Sequence, residues 1–296
     1  MGRVWPAPLQ ARDLVAVVAP SGPVDPGRLA RGVTMVESWG LRVRIAPHAF
    51  DGHGRLPYLA AADEDRADDL TQAWCDPAVR AVWAARGGYG AQRIIDRLDV
   101  GVLGAAGPKH LIGFSDVTAL HARVGRELGA VTIHGPGLAS DQQLTDRANA
   151  AALRNLLLGR PVTRQLLLTG RPLVHGRAAG MLVGGNLSLL ASGVGTEPAP
   201  EVPVVLVLEE VNEPAYRVDR MLTQLIRSGW LDRLAGVVVG DLGLPDDTLV
   251  LDRLGGFGVP ILTGAAIGHA ARNIAVPLGA DVRLEAGPDE ASLTLA

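Results

Sequence analysis

A serine stands at a point of the chain where a nucleophile could be placed. Ser115 follows the apolar segment 109–114, which is typical of a strand, and opens a segment with helical periodicity. A strand–turn–helix arrangement exposes such a hydroxyl and directs the first N–H groups of the helix at the atom under attack. Serine and aspartate are also preferred N-cap residues, and Val117 replaces the last glycine of the Gly-x-Ser-x-Gly pattern. Taken alone, Ser115 and Asp116 are therefore better explained as a helix cap than as catalytic residues.

A glycine-rich turn follows the strand predicted at 79–85. Residues 86–90 read Arg-Gly-Gly-Tyr-Gly, and these glycines let the backbone approach a ligand and turn an N–H towards it. The arrangement suits the second donor of an oxyanion hole, while a tight turn and a phosphate-binding loop are the alternatives. The spacing differs from Gly-x-Gly-x-x-Gly and no Gly-Lys-Ser/Thr follows, so a nucleotide fingerprint is not supported.

An acidic run follows the apolar strand predicted at 203–208. Glu209 continues this strand most directly, which favours it over Glu210 and Glu213 as a carboxylate that could orient an imidazole. A run of acidic residues is more commonly a solvated loop. The segment alone therefore does not indicate a catalytic role.

Of the seven histidines, His269 is the best placed to act as a base. It follows a predicted strand and stands directly after Gly268, which permits a close approach. His134, in the sequence Thr-Ile-His-Gly-Pro, is its main competitor, and a lone histidine is more commonly structural. The sequence contains no His-x-x-x-His pair and no His/Cys cluster, so a metal hydrolase is not expected.

The bulk composition argues against several classes of function. With 48% hydrophobic and 20% charged residues the composition is that of a globular protein, and a net charge of -3 gives no basic surface for nucleic acid. Cys75 is the only cysteine, so no internal disulfide is expected, and a buried structural thiol is the favoured interpretation. The longest apolar stretches have strand length and the N-terminus lacks a signal-peptide core, so we expect a cytoplasmic protein without a membrane segment.

The elements that must position these residues alternate between strand and helix through the first half. Apolar strands separated by helices predict a mostly parallel sheet flanked by helices, and ligands bind such sheets beyond the carboxyl ends of the strands. We therefore predict an α/β protein with an N-terminal domain at 1–160 that carries Ser115. A linker at 161–176 and a smaller C-terminal α+β domain at 177–296, which carries Glu209 and His269, complete the predicted organisation.

Seven segments together closely resemble the LD-carboxypeptidase family, which also contains the microcin C immunity hydrolases. They occur in the family's order over nearly the whole chain, so the combination is specific although each segment alone is weak. The segments are RGGYG at 86–90, GFSDVTAL at 113–120, HGP at 134–136, GGNL at 184–187, LEE at 208–210, YRVDRML at 216–222 and GH at 268–269.

The resemblance implies a catalytic triad of Ser115, Glu209 and His269 that needs no metal or cofactor. The backbone N–H groups of Gly88 and Asp116 would then form the oxyanion hole. The resemblance further implies an N-terminal domain like the class I glutamine amidotransferases, a smaller C-terminal domain with the site between the two, and a homodimer.

The activity that the resemblance implies is release of the C-terminal D-alanine from murein tetrapeptides, through an acyl-enzyme, in cell-wall recycling. Hydrolysis of aminoacyl-nucleotide antibiotics of the microcin C type is an alternative, disfavoured because an adenine pocket is usually aromatic and aromatic residues make up 4% of the chain. A non-catalytic muropeptide-binding module is a second alternative. Such a module would be expected to have lost one triad residue, and the presence of all three argues against it. Arg86, Arg217 and Arg220 are candidates for binding the substrate carboxylate, with none preferred.

Overall fold

The computed structural model describes residues 3–159 and 165–296, which divide into two compact units. The first unit is Met1–Arg160 together with Ala275–Pro277, and the second is Pro161–Ile274 together with Leu278–Ala296. The linker predicted at 161–176 lies partly outside the described residues, and its later part forms a strand of the second unit. The mixed α/β fold with two sheets confirms the predicted class, whereas the likeness to class I glutamine amidotransferases stays a prediction.

The bounds of the regular elements are as follows. The strands are β1 (Leu14–Val18), β2 (Arg42–Ile45), β3 (Val79–Ala84), β4 (His110–Gly113), β5 (Thr132–His134), β6 (Leu166–Val174), β7 (Gly176–Asn186), β8 (Val204–Glu209), β9 (Leu234–Val239), β10 (Ile261–Thr263), β11 (Val276–Leu278), β12 (Asp281–Ala286) and β13 (Ala291–Leu295). The helices are α1 (Pro26–Ser38), α2 (Asp63–Cys75), α3 (Ala91–Ile94), α4 (Val100–Ala105), α5 (Thr118–Glu127), α6 (Asp141–Leu144), α7 (Arg147–Leu158), α8 (Leu187–Gly193), α9 (Ala215–Arg227) and α10 (Thr248–Leu254). Short 3₁₀ turns lie at Ile95–Arg97, Ser115–Val117 and Gly255–Phe257.

A six-stranded sheet forms the centre of the first unit. Its strand order is β11-β5-β4-β3-β1-β2, and every pairing from β2 to β5 is parallel, as predicted. The central strands are buried along nearly their whole length because helices cover such a sheet on both faces. Since β3 and β4 are parallel neighbours, the turns that follow them lie side by side at the carboxyl edge.

Local sequence explains where the helices of the first unit begin. The carboxylate of Asp25 accepts the N–H of Arg28 at 2.7 Å, and Pro26 occupies the first turn of α1, where its missing N–H is not needed. Asp146 caps α7 in the same way. Cys75 is the last residue of α2. It is half-buried, whereas the sequence predicts a buried thiol.

The second unit contains a closed barrel, whereas the sequence predicts only a smaller α+β domain. The strand order is β10-β6-β13-β12-β7-β8-β9. The pairings from β7 through β8 and β9 to β10 are parallel, and the pairings that involve β6, β12 or β13 are antiparallel. β8 is buried over all six of its residues and delivers Glu209 to its carboxyl end.

Within the described ranges, the structure has no helix with both the length and the apolar character that a membrane crossing requires.

Candidate active site

Ser115 has an unusual backbone conformation. It follows β4 with φ of +61°, in the left-handed region, and opens the 3₁₀ turn Ser115–Val117 before α5 begins. Among the described residues only two other non-glycine residues, Arg12 and Asn212, have a positive φ. This region costs a non-glycine residue about 1–2 kcal/mol, and an N-cap residue typically has an extended backbone. The conformation at Ser115 therefore argues against a simple cap and matches a strained nucleophile turn.

Gly87 lies directly against the proposed nucleophile. A β-carbon built on Gly87 would lie 2.8 Å from Ser115 Cβ and 3.1 Å from Ser115 Oγ, so no larger side chain fits without displacing the serine. Gly88 and Gly90 have φ of +116° and +130°, which only glycine adopts readily. Gly87 is thus required by its contact with Ser115, and Gly88 and Gly90 are required by their backbone conformation. The role of the Gly88 N–H as an oxyanion donor stays a prediction.

The carboxylate of Asp116 connects the two turns. Its Oδ2 accepts the backbone N–H of Ala91 at 2.7 Å, at the start of α3, and the side chain is almost fully buried. Burial raises the pKa of Asp116, and the N–H of Ala91 and the positive charge of Arg66 partly oppose this rise. The carboxylate is therefore directed across to the glycine turn and does not cap its own helix.

Arg66 of α2 contacts the same turn. Its buried guanidinium donates to the carbonyl oxygens of Gly90 (2.9 Å), Ala61 (3.2 Å) and Pro20, and it pairs with the carboxylate of Asp63. The loops that follow β1 and β3 are thereby joined by one side chain. Sequence reasoning missed Arg66, since nothing in its acidic surroundings on α2 indicates that the guanidinium is buried.

Two buried histidines lie behind the nucleophile turn. His121 Nε2 donates to the carbonyl oxygen of Gly113 at 2.8 Å, and burial lowers the pKa of His121 to about 4, so the ring is neutral at pH 7. The ring of His134 packs edge-on against Phe114, with the ring centroids 6.1 Å apart. His134, the predicted competitor of His269, is completely buried in the first unit.

Glu209 and His269 form a hydrogen-bonded pair in the second unit. His269 Nδ1 donates to Glu209 Oε2 over 2.7 Å, and the carboxylate is completely buried while 22% of the imidazole is exposed. With the hydrogen on Nδ1, Nε2 is the nitrogen that carries the lone pair. A β-carbon on Gly268, where φ is +114°, would lie 3.0 Å from Glu209 Oε2. Glycine at 268 therefore permits the close approach that was predicted.

The turn that carries His269 is fixed by further hydrogen bonds. The N–H of Gly268 donates to Oδ1 of the fully buried Asn273 at 3.1 Å. The N–H of Asp241 donates to the carbonyl oxygen of Ile267 at 3.2 Å. These contacts, which sequence reasoning missed, tie the turn to the end of β9 and to its own continuation, so the imidazole is held at its backbone as well as at Nδ1.

The other two acidic candidates have different partners. Glu210 accepts hydrogen bonds from Ser188 N (2.7 Å), Ser188 Oγ (2.6 Å), Asn186 Nδ2 (3.2 Å) and Val211 N (2.8 Å). It therefore satisfies the start of α8, as a carboxylate at a helix N-terminus does. Glu213 forms an exposed ion pair with Arg217 at 3.3 Å. Of the three, Glu209 is the carboxylate that contacts an imidazole.

The arginine candidates also differ in their partners. Arg217 is paired with Glu213, and the guanidinium of Arg220 lies 5.5 Å from the ring centroid of Tyr216. Arg86 Nη1 donates to the carbonyl oxygen of Pro23 at 3.1 Å. Across the residues that the structure describes, no group of three or more His, Cys, Asp or Glu side chains could hold a metal ion.

The first unit brings the Ser115 turn, Asp116 and the turn with Gly88 together, and the second unit brings Glu209 and His269 together. A serine in a strained turn is the usual form of an acyl-transfer nucleophile, and a carboxylate-bound imidazole is the usual form of its base.

Comparison with known proteins gives a consistent result over most of the chain. Residues 15–135 match the family described as LD-carboxypeptidase N-terminal domain, and residues 179–284 match LD-carboxypeptidase C-terminal domain. A Streptomyces coelicolor protein, provisionally named a carboxypeptidase, is 46% identical, with 99% of this chain and 96% of that protein covered. The murein tetrapeptide carboxypeptidase of Pseudomonas aeruginosa is 34% identical, with 92% of each covered. Among solved structures, an MccF-like protein from Bacillus anthracis matches with a TM-score of 0.89 at 22% identity, over 99% of both chains.

Proposed function

Because the chain belongs to the LD-carboxypeptidase family, we propose that it releases the C-terminal D-alanine of murein tetrapeptides in cell-wall recycling. Family membership makes it a carboxypeptidase, and the proposal adds the substrate and the catalytic residues. The observation that carries the proposal is the 2.7 Å hydrogen bond between His269 Nδ1 and the buried Glu209. The relative from Pseudomonas aeruginosa, which is named a murein tetrapeptide carboxypeptidase, supports the substrate.

In the proposed reaction Ser115 is the nucleophile and His269 the base. His269 Nε2 removes the proton from Ser115 Oγ, which attacks the amide carbonyl carbon that precedes the terminal D-alanine. The backbone N–H groups of Gly88 and Asp116 stabilise the oxyanion, and loss of one such donor typically costs about 100- to 1000-fold in rate. The imidazolium then protonates the leaving amine. Water cleaves the acyl-enzyme by the same steps, and this chemistry requires neither metal nor cofactor.

Glu209 acts in this proposal without exchanging protons with the substrate. Its Oε2 fixes the hydrogen of His269 on Nδ1, which leaves the lone pair on Nε2, and its negative charge stabilises the imidazolium. Since the carboxylate is completely buried, little solvent screens this interaction. The geometry on the Glu209 side is thus suited to a base that must accept and return one proton.

A second candidate keeps the chemistry and changes the substrate to an aminoacyl-nucleotide. One observation favours it: the rings of Tyr58 and Tyr89 meet edge to face with centroids 5.8 Å apart, both about half exposed, and Tyr89 belongs to the turn that contacts Ser115. Exposed aromatic rings can stack on a nucleobase. The MccF-like neighbour has the same fold, and MccF itself is named a microcin C7 self-immunity protein.

Mass spectrometry of a murein tetrapeptide incubated with the purified protein tests the proposal. We expect the wild type to release one alanine and Ser115→Ala to release none. A matched control is Ser38→Ala, which removes an exposed hydroxyl at the end of α1 and should leave turnover intact. An uncleaved tetrapeptide, with cleavage of an aminoacyl-adenylate analogue under the same conditions, would contradict the proposal and favour the second candidate.

The resemblance to the family also leads us to propose a cytoplasmic homodimer. Light scattering coupled to size-exclusion chromatography tests the assembly: a mass twice the 30.9 kDa of one chain supports it, and a monomeric mass contradicts it.

A further inference from the structure

A carboxypeptidase must recognise the free carboxylate that distinguishes the end of a peptide from an internal bond. Three bonds of about 1.3–1.5 Å separate that carboxylate carbon from the attacked carbonyl carbon, so the carboxylate lies within about 4 Å of it and the group that binds the carboxylate must lie close to the nucleophile. Arginine is the natural partner, because its planar guanidinium can donate two parallel hydrogen bonds to one carboxylate. The residue that binds the carboxylate is therefore expected to be an arginine near Ser115 whose N–H donors are not already used.

Arg86 occupies the right position in the first unit. It is the first residue of the glycine turn, and its neighbour Gly87 is so close to Ser115 that a β-carbon there would lie 3.1 Å from Oγ. The guanidinium extends over the loop that follows β1. A β-carbon on Gly22 would lie 3.7 Å from Arg86 Nε, and one on Gly88 would lie 3.8 Å from Arg86 Nη2. The positive charge therefore lies beside the turn that carries the proposed oxyanion donor.

The charge of Arg86 is not neutralised within the described part of the chain. Its hydrogen bond from Nη1 to the carbonyl oxygen of Pro23, at 3.1 Å, uses one of five N–H donors and involves no carboxylate. No ion pair of Arg86 with any described acidic residue exists within 4.0 Å, and the side chain is exposed. The bond to Pro23 also orients the guanidinium, so less side-chain entropy is lost when a ligand binds.

The neighbouring arginines are already paired with carboxylates. Arg93 binds both carboxylate oxygens of Asp63, at 2.7–3.1 Å, and Arg66 is buried against the same aspartate. Arg97 is paired with Glu64 at 2.8 Å. Arg86 is thus distinguished from these three by its open donors as well as by its place in the glycine turn, next to the Gly87 that contacts Ser115.

We propose that Arg86 binds the C-terminal carboxylate of the substrate and so determines that the enzyme removes a terminal residue. The role rests on the proposed function. Arg86 contacts the substrate but takes no part in proton transfer, so it determines specificity through an ion pair with two hydrogen bonds. Its loss removes substrate binding more than it slows the chemical step.

The test compares two substrates that differ only in the recognised group: a murein tetrapeptide with a free carboxylate and the same peptide ending in a carboxamide. For the wild type we expect kcat/KM to be about 100-fold higher for the acid, which corresponds to the loss of two hydrogen bonds to a charged group. In Arg86→Met this preference should fall below about three-fold, chiefly through a higher KM for the acid. Arg86→Lys, which keeps the charge but not the two-pronged geometry, should retain an intermediate preference.

Arg97→Met is the matched control, because it removes a similar side chain that is paired elsewhere. It should keep the wild-type preference, and thermal melting should show that all variants are folded. If Arg86→Met prefers the acid as strongly as the wild type does, Arg86 does not bind the carboxylate. If the wild type cleaves neither peptide, the proposed function fails and the role of Arg86 fails with it, so the two failures are distinguishable.

Discussion

Ser115 is positioned by its backbone, whereas His269 is positioned chiefly by a partner side chain. The serine has φ of +61° and lies in a turn that Gly87 contacts and that Asp116 ties to Ala91. The histidine donates from Nδ1 to a completely buried glutamate at 2.7 Å. In the first case the backbone of the turn and its neighbours position the residue, and in the second a hydrogen bond to a buried carboxylate acts beside the bonds that fix the turn. Substitutions should therefore affect the two regions in different ways.

The largest effect is expected at the hydrogen bond between His269 and Glu209. In Glu209→Gln the amide can donate to His269 Nδ1, which moves the ring hydrogen to Nε2 and removes the base, so kcat should fall by about 10⁴-fold. The melting temperature should change little, since Glu209 Oε1 has no hydrogen-bond partner among the described residues and the shape is kept. Alanine release and thermal melting measure the two quantities.

Glu210→Gln is the matched comparison, one residue further along the chain. Glu210 accepts from Ser188, Asn186 and Val211, so an amide there brings a donor against a donor and should lower the free energy of unfolding by about 2 kcal/mol. The value of kcat should stay within a few-fold of the wild type. Equal losses of kcat in the two variants would show that Glu209 has no special role in positioning the base.

An intermediate effect is expected where a glycine contacts the proposed nucleophile. In Gly87→Ala the new β-carbon would lie 2.8 Å from Ser115 Cβ, and displacement of the nucleophile by a fraction of an ångström to 1 Å should reduce kcat by about 100-fold. Gly54→Ala is the control, because a β-carbon at 54 has no neighbour within 4 Å. Wild-type kcat in Gly87→Ala would mean that the turn adapts and that its geometry is not critical.

Gly268→Ala tests the same idea in the second unit, where the backbone conformation adds to the crowding. The residue has φ of +114°, and a β-carbon would lie 2.9 Å from Glu209 Cβ. We expect a loss of kcat together with a loss of about 1–3 kcal/mol in the free energy of unfolding. A variant that loses stability but retains kcat would show that the Glu209–His269 bond tolerates movement of its turn. Urea unfolding and alanine release give the two values.

The smallest effect concerns stability in acid. Burial lowers the pKa of His121 to about 4, below the 6.5 of an unperturbed histidine. The unfolded chain therefore binds the proton first, and the free energy of unfolding should decrease as the pH falls from about 6.5 to about 4, by about 2 kcal/mol for this residue at pH 4.5. In His121→Gln, urea unfolding at pH 7 and pH 4.5 should show a correspondingly smaller decrease. If the free energy of unfolding of His121→Gln decreases as much as that of the wild type, the lowered pKa of His121 is not the cause of the acid sensitivity.

His110 provides the comparison at the other end of β4. Burial also lowers its pKa to about 4, and its Nε2 bonds to the carbonyl oxygen of Ala7. His110→Gln should therefore reduce the acid sensitivity in the same direction. Because His121 bonds to the carbonyl oxygen of Gly113, two residues before Ser115, only His121→Gln should also lower kcat.

The sequence was most informative where a residue follows a buried strand. The apolar runs before Ser115 and Glu209 are long enough to predict β4 and β8, so the ends of those strands could be located from sequence alone. Arg66 and Asn273 could not be predicted, since their roles depend on loops that are far away in the chain. A side chain that is buried by tertiary contacts has no local pattern that indicates its burial.

The barrel shows how local composition can mislead. Gly170 and Pro172 predicted a linker, yet both lie in β6, which pairs with β10 and β13. A β-carbon on Gly170 would lie 2.5 Å from the carbonyl oxygen of Thr263, so glycine is required there by close strand packing and not by a turn. β12 could have been predicted from the sequence, because polar and apolar residues alternate over Asp281–Ala286 and the structure shows the matching alternation of exposed and buried side chains.

The late segment Ala275–Pro277 belongs to the first unit, and β11 lies at the edge of that unit's sheet beside β5. A ribosome therefore synthesises the rest of the first unit more than a hundred residues before this edge strand leaves the exit tunnel. Until then the edge of β5 has unpaired backbone groups, the kind of edge on which other chains can add as strands. Folding of the first unit is consequently completed only after Ala275–Pro277 has been made, and a nascent chain released before that point would expose an aggregation-prone edge.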